Sequence, residues 1–222
     1  MRASFATAAL VVAASASACG APARTGPPPV PPGVLHAPSD YASDFAIDQR
    51  VTVTYRDQAR GVDEEQSFRA VIEKRGDALV MVAIGPTGGR AFVLAQHGTE
   101  VTFESHLPRE LPFPPEYMLF DVHRAWLVAL PGAPLADGSH SAVIDGEEVT
   151  EIWADARVWT RTFRRVDQTP PGLLTITFEG GLDPRVDQPA PTRVVLDNGW
   201  FGYELTLDQL TRSVLLPLAP AP

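Results

Sequence analysis

Apolar and polar residues alternate with a period of two along most of the chain after Arg50, and this pattern limits the possible folds more than any other feature. Val51, Val53 and Tyr55 alternate with polar neighbours, as in a strand that buries one face. Further segments of this kind follow at short intervals, and residues 85–89 have the composition of a turn. Because short connections join antiparallel neighbours, the first five strands are predicted to form an antiparallel meander.

One helix is predicted between Pro114 and Pro131. Proline and an acidic residue are favoured in a first helical turn, and a Pro-Gly pair stops a helix. Leu119, Val122 and Trp126 recur at helical spacing on one face, and other apolar residues cover most of the remaining circumference. A helix this apolar is buried on most sides, which suits a helix inside a curved sheet.

Strand patterns resume after the helix. Alternation predicts three strands between residues 148 and 178, and residues 208–216 fit either a short helix or an edge strand. The pair Asn198-Gly199 predicts a type I′ hairpin turn, since both residues tolerate positive φ. A sheet of nine to eleven strands must curl. The predicted fold class is therefore mostly β, a curved antiparallel sheet that forms an incomplete, half-open barrel wrapped on one central α-helix.

The N-terminus has the layout of a secretory signal. A basic Arg2 precedes an apolar stretch that is too short for a stop-transfer helix, and the stretch ends in ASACG at residues 16–20. This ending resembles a bacterial lipobox that lipidates Cys19, with Ala16 where Leu is usual. Ordinary signal-peptidase cleavage is the alternative. Because Gly20 follows the cysteine, the chain resembles lipoproteins sorted to the outer membrane, which predicts a lipid-anchored, periplasm-facing location.

The domain organisation follows from these signals. Residues 1–18 are predicted to be the signal peptide, and residues 19–38 to be the lipidated Cys19 followed by a Pro-rich tether that favours extended polyproline II structure. Residues 39–216 are predicted to form the folded domain, and residues 217–222 a short Pro/Ala tail.

Composition excludes several classes of function. Cys19 is the only cysteine among 222 residues, so the chain offers neither an intramolecular disulfide nor a cysteine-based metal site. The formal net charge of −9 lacks the basic footprint of a nucleic-acid binder.

Catalytic and metal-binding patterns are equally scarce. The five histidines are scattered without zinc-binding spacing, and we interpret each as a surface or turn residue. There is no Gly-x-Ser-x-Gly motif. The acidic residues Glu147, Glu148, Glu151 and Asp155 form a candidate cation cluster that we interpret as a solvated strand or loop face. The sequence therefore predicts no catalytic residue, no metal and no cofactor.

Three segments carry a resemblance to a known family: GPTGGRAF at residues 85–92, LPFPPEYMLFD at 111–121 and NGWFGYELTL at 198–207. They resemble an uncharacterised family of Gram-negative lipoproteins whose genes tend to lie among aryl-polyene and other fatty-acid-type biosynthesis genes. That family is similar in layout to the lipoprotein localisation factors LolA and LolB, incomplete β-barrels in which helices plug an apolar cavity for acyl chains. The resemblance covers about residues 45–210.

The resemblance implies a non-enzymatic lipoprotein that binds or transfers a lipid or acyl ligand. The genomic setting of the family implies that this ligand is of aryl-polyene type. The expected partners are that ligand and the membrane reached through Cys19. Apolar residues on the helix side of the sheet and on the helix are the candidates to line a cavity: Val53, Tyr55, Phe68, Ile72, Met81, Phe103, Leu119 and Trp126. The same residues serve equally as packed core in a scaffold or assembly lipoprotein, and a periplasmic hydrolase is a third interpretation.

Overall fold

The computed structural model describes residues 33–57, 61–108, 111 and 113–216. The signal peptide, Cys19, most of the tether and the Pro/Ala tail lie outside these residues. A short 3-10 turn, Pro38–Asp40, precedes eleven strands. In chain order the strands are β1 Phe45–Asp57, β2 Val62–Arg75, β3 Ala78–Ile84, β4 Arg90–His97, β5 Glu100–Ser105, β6 Gly138–Ile144, β7 Glu147–Ala154, β8 Arg157–Arg165, β9 Leu174–Leu182, β10 Arg193–Asn198 and β11 Tyr203–Val214.

The strands form one antiparallel sheet in the order β5-β4-β3-β2-β1-β11-β10-β9-β8-β7-β6. Strands β1 to β5 make one flank, and β11 back to β6 make the other. The two flanks meet where β1 pairs with β11 along almost their whole length. Since β5 and β6 are the two ends of this order, the sheet is not closed, and the prediction of a mostly β, half-open architecture is confirmed.

The helix connects the two ends of the sheet. It consists of α1, Glu116–Val122, followed directly by a π-helical turn, His123–Leu127, in which Val128 N–H donates to the His123 carbonyl at 2.8 Å. Leu119, Val122, Ala125 and Leu127 are buried against the sheet. The helix predicted between Pro114 and Pro131 therefore exists, but it ends at Leu127 because Val128 adopts an extended backbone (φ −64°, ψ 134°).

Strand β11 differs from the sequence expectation. Residues 208–214 belong to it, so neither a helix nor an edge strand forms there. The strand lies in the middle of the sheet because it pairs with β1 on one side and β10 on the other.

The hairpin between β10 and β11 also differs, because Asn198 pairs with Tyr203 and leaves a four-residue loop instead of a two-residue turn. The Asn198 side-chain oxygen accepts the Phe201 N–H at 3.1 Å, and Gly202 adopts a φ of 73°. A Cβ on Gly199 would lie 2.6 Å from the Leu173 carbonyl oxygen, so this close approach requires glycine.

Candidate functional site

The strand register shows which predicted lining residues share the inner face of the sheet. Ile72 lies opposite both Ile47 and Met81, Met81 lies opposite Leu94, and Leu94 lies opposite Phe103. Directly opposite residues point to the same face, so these five side chains form one row across β1 to β5. Ile72 and Met81 are buried within this row, whereas Phe103 at its outer end is half-buried.

The remaining predicted residues occupy different surroundings. Leu119 is fully buried under the sheet, and Val53, Phe68 and Trp126 are half-buried against the core. Phe68 contacts Phe92 edge-on (ring centroids 5.9 Å apart). Tyr55 differs from the others because its hydroxyl donates to the Glu64 carboxylate at 2.9 Å.

Phe92 in turn contacts Phe103 at 5.7 Å between ring centroids. A chain of aromatic contacts therefore runs from β2 to Phe103, near the β5 end of the sheet, and it braces Phe103 from the core side.

The inner face of the other flank carries buried charges. Glu147 and Glu151 are 5% and 0% exposed, so the interpretation of these two residues as a solvated face is wrong. They lie on the inner face because β7 alternates Glu147, Val149, Glu151 and Trp153 toward the core. Trp153 Nε1–H donates to the Glu151 carboxylate at 2.8 Å. This hydrogen bond satisfies one of the two buried carboxylate oxygens of Glu151.

Each of these glutamates is neutralised by a buried arginine. Arg161 Nε donates to Glu151 at 2.6 Å, and Arg124 Nη2 donates to Glu147 at 2.8 Å. Arg161 also donates through Nη1 to the Arg124 carbonyl oxygen at 2.6 Å. Since the last carbonyls of a helix lack helical partners, Arg161 satisfies one of them and ties the π-helical turn to β8.

Arg124 is surrounded by aromatic rings as well as by its glutamate. Its guanidinium lies 5.1 Å from the ring centroid of Trp200 and 5.6 Å from those of Phe120 and Phe163. Cation–π attraction at these distances is strongest where water is excluded, and Arg124 is only 5% exposed. These contacts fix the helix between β8 and the β10–β11 loop.

The helix also carries a buried acid, Asp121. It accepts a hydrogen bond from the Tyr203 hydroxyl, which itself accepts from Asn198 Nδ2 at 2.8 Å. Burial raises the pKa of Asp121 to about 6, although the nearby Arg124 charge and the Tyr203 hydrogen bond favour the ionised form. Burial, then the Asp121 charge, raises the pKa of Tyr203 well above its usual value, so Tyr203 remains the donor.

His123 is buried, contrary to the expectation of a surface or turn histidine. Its Nε2 lies 2.8 Å from Gln96 Oε1, and its ring meets Tyr41 edge-on at 5.8 Å between centroids. Burial lowers the pKa of His123 to about 4, and the nearby His36 and Arg124 charges add to this effect. His123 is therefore neutral at physiological pH.

Residues 33–41, which we name the strap, bridge the two flanks of the sheet. Gln96 of β4 donates to the His36 carbonyl oxygen at 2.6 Å, while the His36 ring lies 2.5 Å from the Asp145 carboxylate in the β6–β7 turn. Beneath the strap is a space of about 30 Å³ next to His123 and Arg124. This space holds about one water molecule, so an acyl chain does not fit beneath the strap.

A much larger opening lies at the β5 end. An open cleft of about 400 Å³ separates β5 from the strap and the start of α1, and we name it the β5 cleft. The residues that line it are Leu35, Thr99, Val101, Phe103, Pro115, Glu116 and Phe120. Its volume is within the range of about 300–1,000 Å³ that small-molecule sites occupy.

The β5 cleft is only partly anticipated by the sequence. Among the described residues of the predicted lining set, Phe103 is the one that borders the cleft. The sequence interpretation does not include Leu35, because residues 33–38 of the strap were assigned to the tether. Val101 lies two residues before Phe103 on the same strand, so the period-two alternation contains the signal that identifies it.

The described residues offer no metal centre, since no group of three or more His, Cys, Asp or Glu side chains among them is placed to hold an ion. In the same part of the chain, no helix is long and apolar enough to cross a membrane.

These features define an open antiparallel half-barrel with one helix across its inner face. The chain belongs to the family described as protein of unknown function DUF3261, whose model matches residues 46–211. No curated protein matches the chain.

Two solved structures are similar to the chain. One is an outer membrane lipoprotein-sorting protein domain from Vibrio parahaemolyticus, with a TM-score of 0.41 and 14% identity over 79% of this chain and 87% of that domain. The other is a DUF1329 family protein from Desulfovibrio piger, with a TM-score of 0.38 and 11% identity over 79% of this chain and 88% of that protein.

Proposed function

We propose that this protein is an outer-membrane lipoprotein of the periplasm that binds an acyl-chain lipid in the β5 cleft and passes it on without covalent chemistry. The observation that carries the proposal is the open, ligand-sized cleft beside β5, whereas the space beneath the strap is too small for a lipid. Among the described residues that line the cleft, five of seven are apolar, and the exceptions are Thr99 and Glu116. Such a lining matches an apolar chain with a small polar end.

The driving force for binding is removal of apolar surface from water. Each methylene that enters such a cleft contributes about 0.8 kcal/mol, so eight methylenes would contribute about 6 kcal/mol before the costs of ordering the chain. Phe103 would contact the lipid directly, and Phe68, Ile72 and Met81 would support the sheet behind it. Because the cleft is open, an acyl chain can enter and leave without a large change in the fold.

The position of the strap supports a membrane source for the lipid. Gly33 follows Cys19 by 14 residues, a length that would reach about 40 Å if the predicted tether is extended. Leu35 of the strap lines the cleft, so the chain that leads to the proposed anchor ends at the cleft itself.

In this proposal Cys19→Ser should move the protein from the membrane fraction to the soluble fraction. The resemblance of the sequence further suggests an aryl-polyene-type lipid, whose long apolar chain suits the same cleft.

The test fills the cleft with a side chain. Residues 19–222 with Cys19→Ser, which retain every described residue, are titrated with the fluorescent probe N-phenyl-1-naphthylamine and analysed by native mass spectrometry for co-purified lipid. Val101→Trp should weaken probe binding at least about tenfold, because the indole occupies space that the probe needs. Val143→Trp is the matched control, since Val143 lies on β6 at the opposite end of the sheet and is 66% exposed.

A packed scaffold is the second candidate. The complete burial of Leu119 and the small volume of the space beneath the strap, about 30 Å³, favour it. The carrier proposal fails, and the scaffold is favoured, if the parent protein carries no lipid and its affinity for the probe is no higher than that of Val101→Trp.

A further inference from the structure

Glu116 is the charged member of the described lining of the β5 cleft. It is half-buried at the start of α1, and among the described residues it has no ion-pair or hydrogen-bond partner. Thr99, the other polar lining residue, is uncharged. This differs from Glu147 and Glu151, each of which is paired with an arginine.

An acid in a first helical turn also has a structural use, because it complements the positive end of the helix. That use does not require the carboxylate to border an apolar cleft, since an outward-facing side chain in the same turn serves equally well. The Glu116 carboxylate therefore lines the cleft as a charged acceptor that has no partner among the described residues. A bound molecule with a positively charged donor would supply that partner.

We propose that the β5 cleft prefers lipids whose head group carries an ammonium charge, with Glu116 as the residue that determines this specificity. The inference rests on the proposed lipid-binding function. With the acyl chain against Val101 and Phe103, the head group would lie near the Glu116 carboxylate, which lines the same cleft. An ammonium gains a charge-assisted hydrogen bond there, whereas a free fatty acid brings a second carboxylate beside the first. The net charge of −9 opposes anionic ligands further.

The test compares three probes with the same twelve-carbon tail and different head charges: dodecylamine, 1-dodecanol and laurate. Each displaces N-phenyl-1-naphthylamine from residues 19–222 carrying Cys19→Ser, at pH 7.4 and concentrations below micelle formation. Affinity should fall in the order amine, alcohol, carboxylate. The amine should exceed laurate about tenfold, because the attractive and the repulsive contact each change affinity about threefold. Added salt should reduce this ratio, because the difference is electrostatic.

Glu116→Gln should reduce the ratio of amine to laurate affinity to less than about threefold, because the variant removes the charge that separates the two probes. Glu116→Asp should keep the preference, and it serves as the second variant if Glu116→Gln melts at a lower temperature by circular dichroism. Glu100→Gln is the matched control because it makes the same charge change at an exposed position of β5 outside the cleft lining. It should retain the full ratio.

The outcomes separate the two proposals. If none of the three probes displaces N-phenyl-1-naphthylamine, the lipid-binding function itself fails, and the ammonium preference fails with it. If all three bind equally well, or if Glu100→Gln lowers the ratio as much as Glu116→Gln does, the cleft binds lipid but Glu116 does not select its head group.

Discussion

Asp121 and His123 lie two residues apart on the helical segment and are both buried, 7% and 3% exposed. Burial favours the neutral form of each side chain, and it therefore raises the pKa of the acid to about 6 and lowers the pKa of the base to about 4. Between these two values both side chains are neutral in the folded protein. Between pH 4 and pH 6 the folded protein therefore buries neither side chain in its charged form.

The two residues affect stability in opposite directions as the pH changes. The folded pKa of Asp121 is above its ordinary 3.8, so its contribution is fully present below pH 3.8 and is lost as the pH rises through about 6. The folded pKa of His123 is below its ordinary 6.5, so its contribution is present above pH 6.5 and is lost as the pH falls through about 4. The contributions largely cancel between pH 4 and pH 6.

We expect single substitutions to reveal this cancellation. In Asp121→Asn the histidine acts alone, so the free energy of unfolding should rise relative to the parent between pH 4 and pH 6, by on the order of 3 kcal/mol. In His123→Gln it should fall relative to the parent over the same interval. Urea unfolding at pH 4, 5, 6 and 7 measures both profiles. Variant profiles parallel to that of the parent would contradict the assignment.

Strands β7 and β8 carry two ion pairs of the same chemical type, one on each face of the sheet. Arg161 and Glu151 form the buried pair, 2% and 0% exposed. Arg164 and Glu148 form the other, in which Arg164 Nε donates at 2.8 Å and its side chain is 59% exposed. The same two strands therefore offer an internal comparison of buried and exposed pairs.

Arg161→Met should lower the free energy of unfolding by about 3–5 kcal/mol, because it leaves the Glu151 charge buried without its cation. It also removes the donor that satisfies the Arg124 carbonyl at the π-helical turn. Arg164→Met should cost less than about 1 kcal/mol, since water solvates Glu148 once the pair is broken. Urea denaturation of both variants at pH 7 measures the two losses. Similar losses would show that burial does not distinguish the pairs.

The element scale also shows where sequence reasoning succeeds. Alternation identified the strands of the first flank because their inner positions are apolar, and helical spacing identified Leu119 and Val122 on the buried face of α1. Alternation failed for Glu151, because a charged residue in the sequence is interpreted as solvent-exposed even when it occupies an inner position. The missing signal was in the pairing strand: Arg161 and Phe163 have the same parity on β8, which places an arginine on the inner face.

At the scale of the whole molecule, the sequence predicted a half-open barrel but not the order of its strands. Period two shows that a segment is a strand and which face it buries, but not which strand lies beside it. The β1–β11 pairing joins Phe45 to Val214, and a contact this distant in sequence leaves no local pattern. The β5 cleft has the same origin, because Leu35, Val101 and Phe120 meet there only after the sheet, the strap and the helix have assembled.

The two end strands of the open sheet differ in their surroundings, because the β5 cleft borders β5 and not β6. In amide hydrogen exchange, the strands that pair on both sides, β1 and β11 among them, should be protected longer than β5 and β6, each of which pairs on one side only. Saturating 1-dodecanol should slow exchange in β5 and at the start of α1 and leave β6 unchanged. The neutral alcohol makes this expectation independent of any head-group preference. Equal slowing of both end strands would show that the alcohol stabilises the fold generally, and slowing of β6 alone would place the lipid at the opposite end of the sheet.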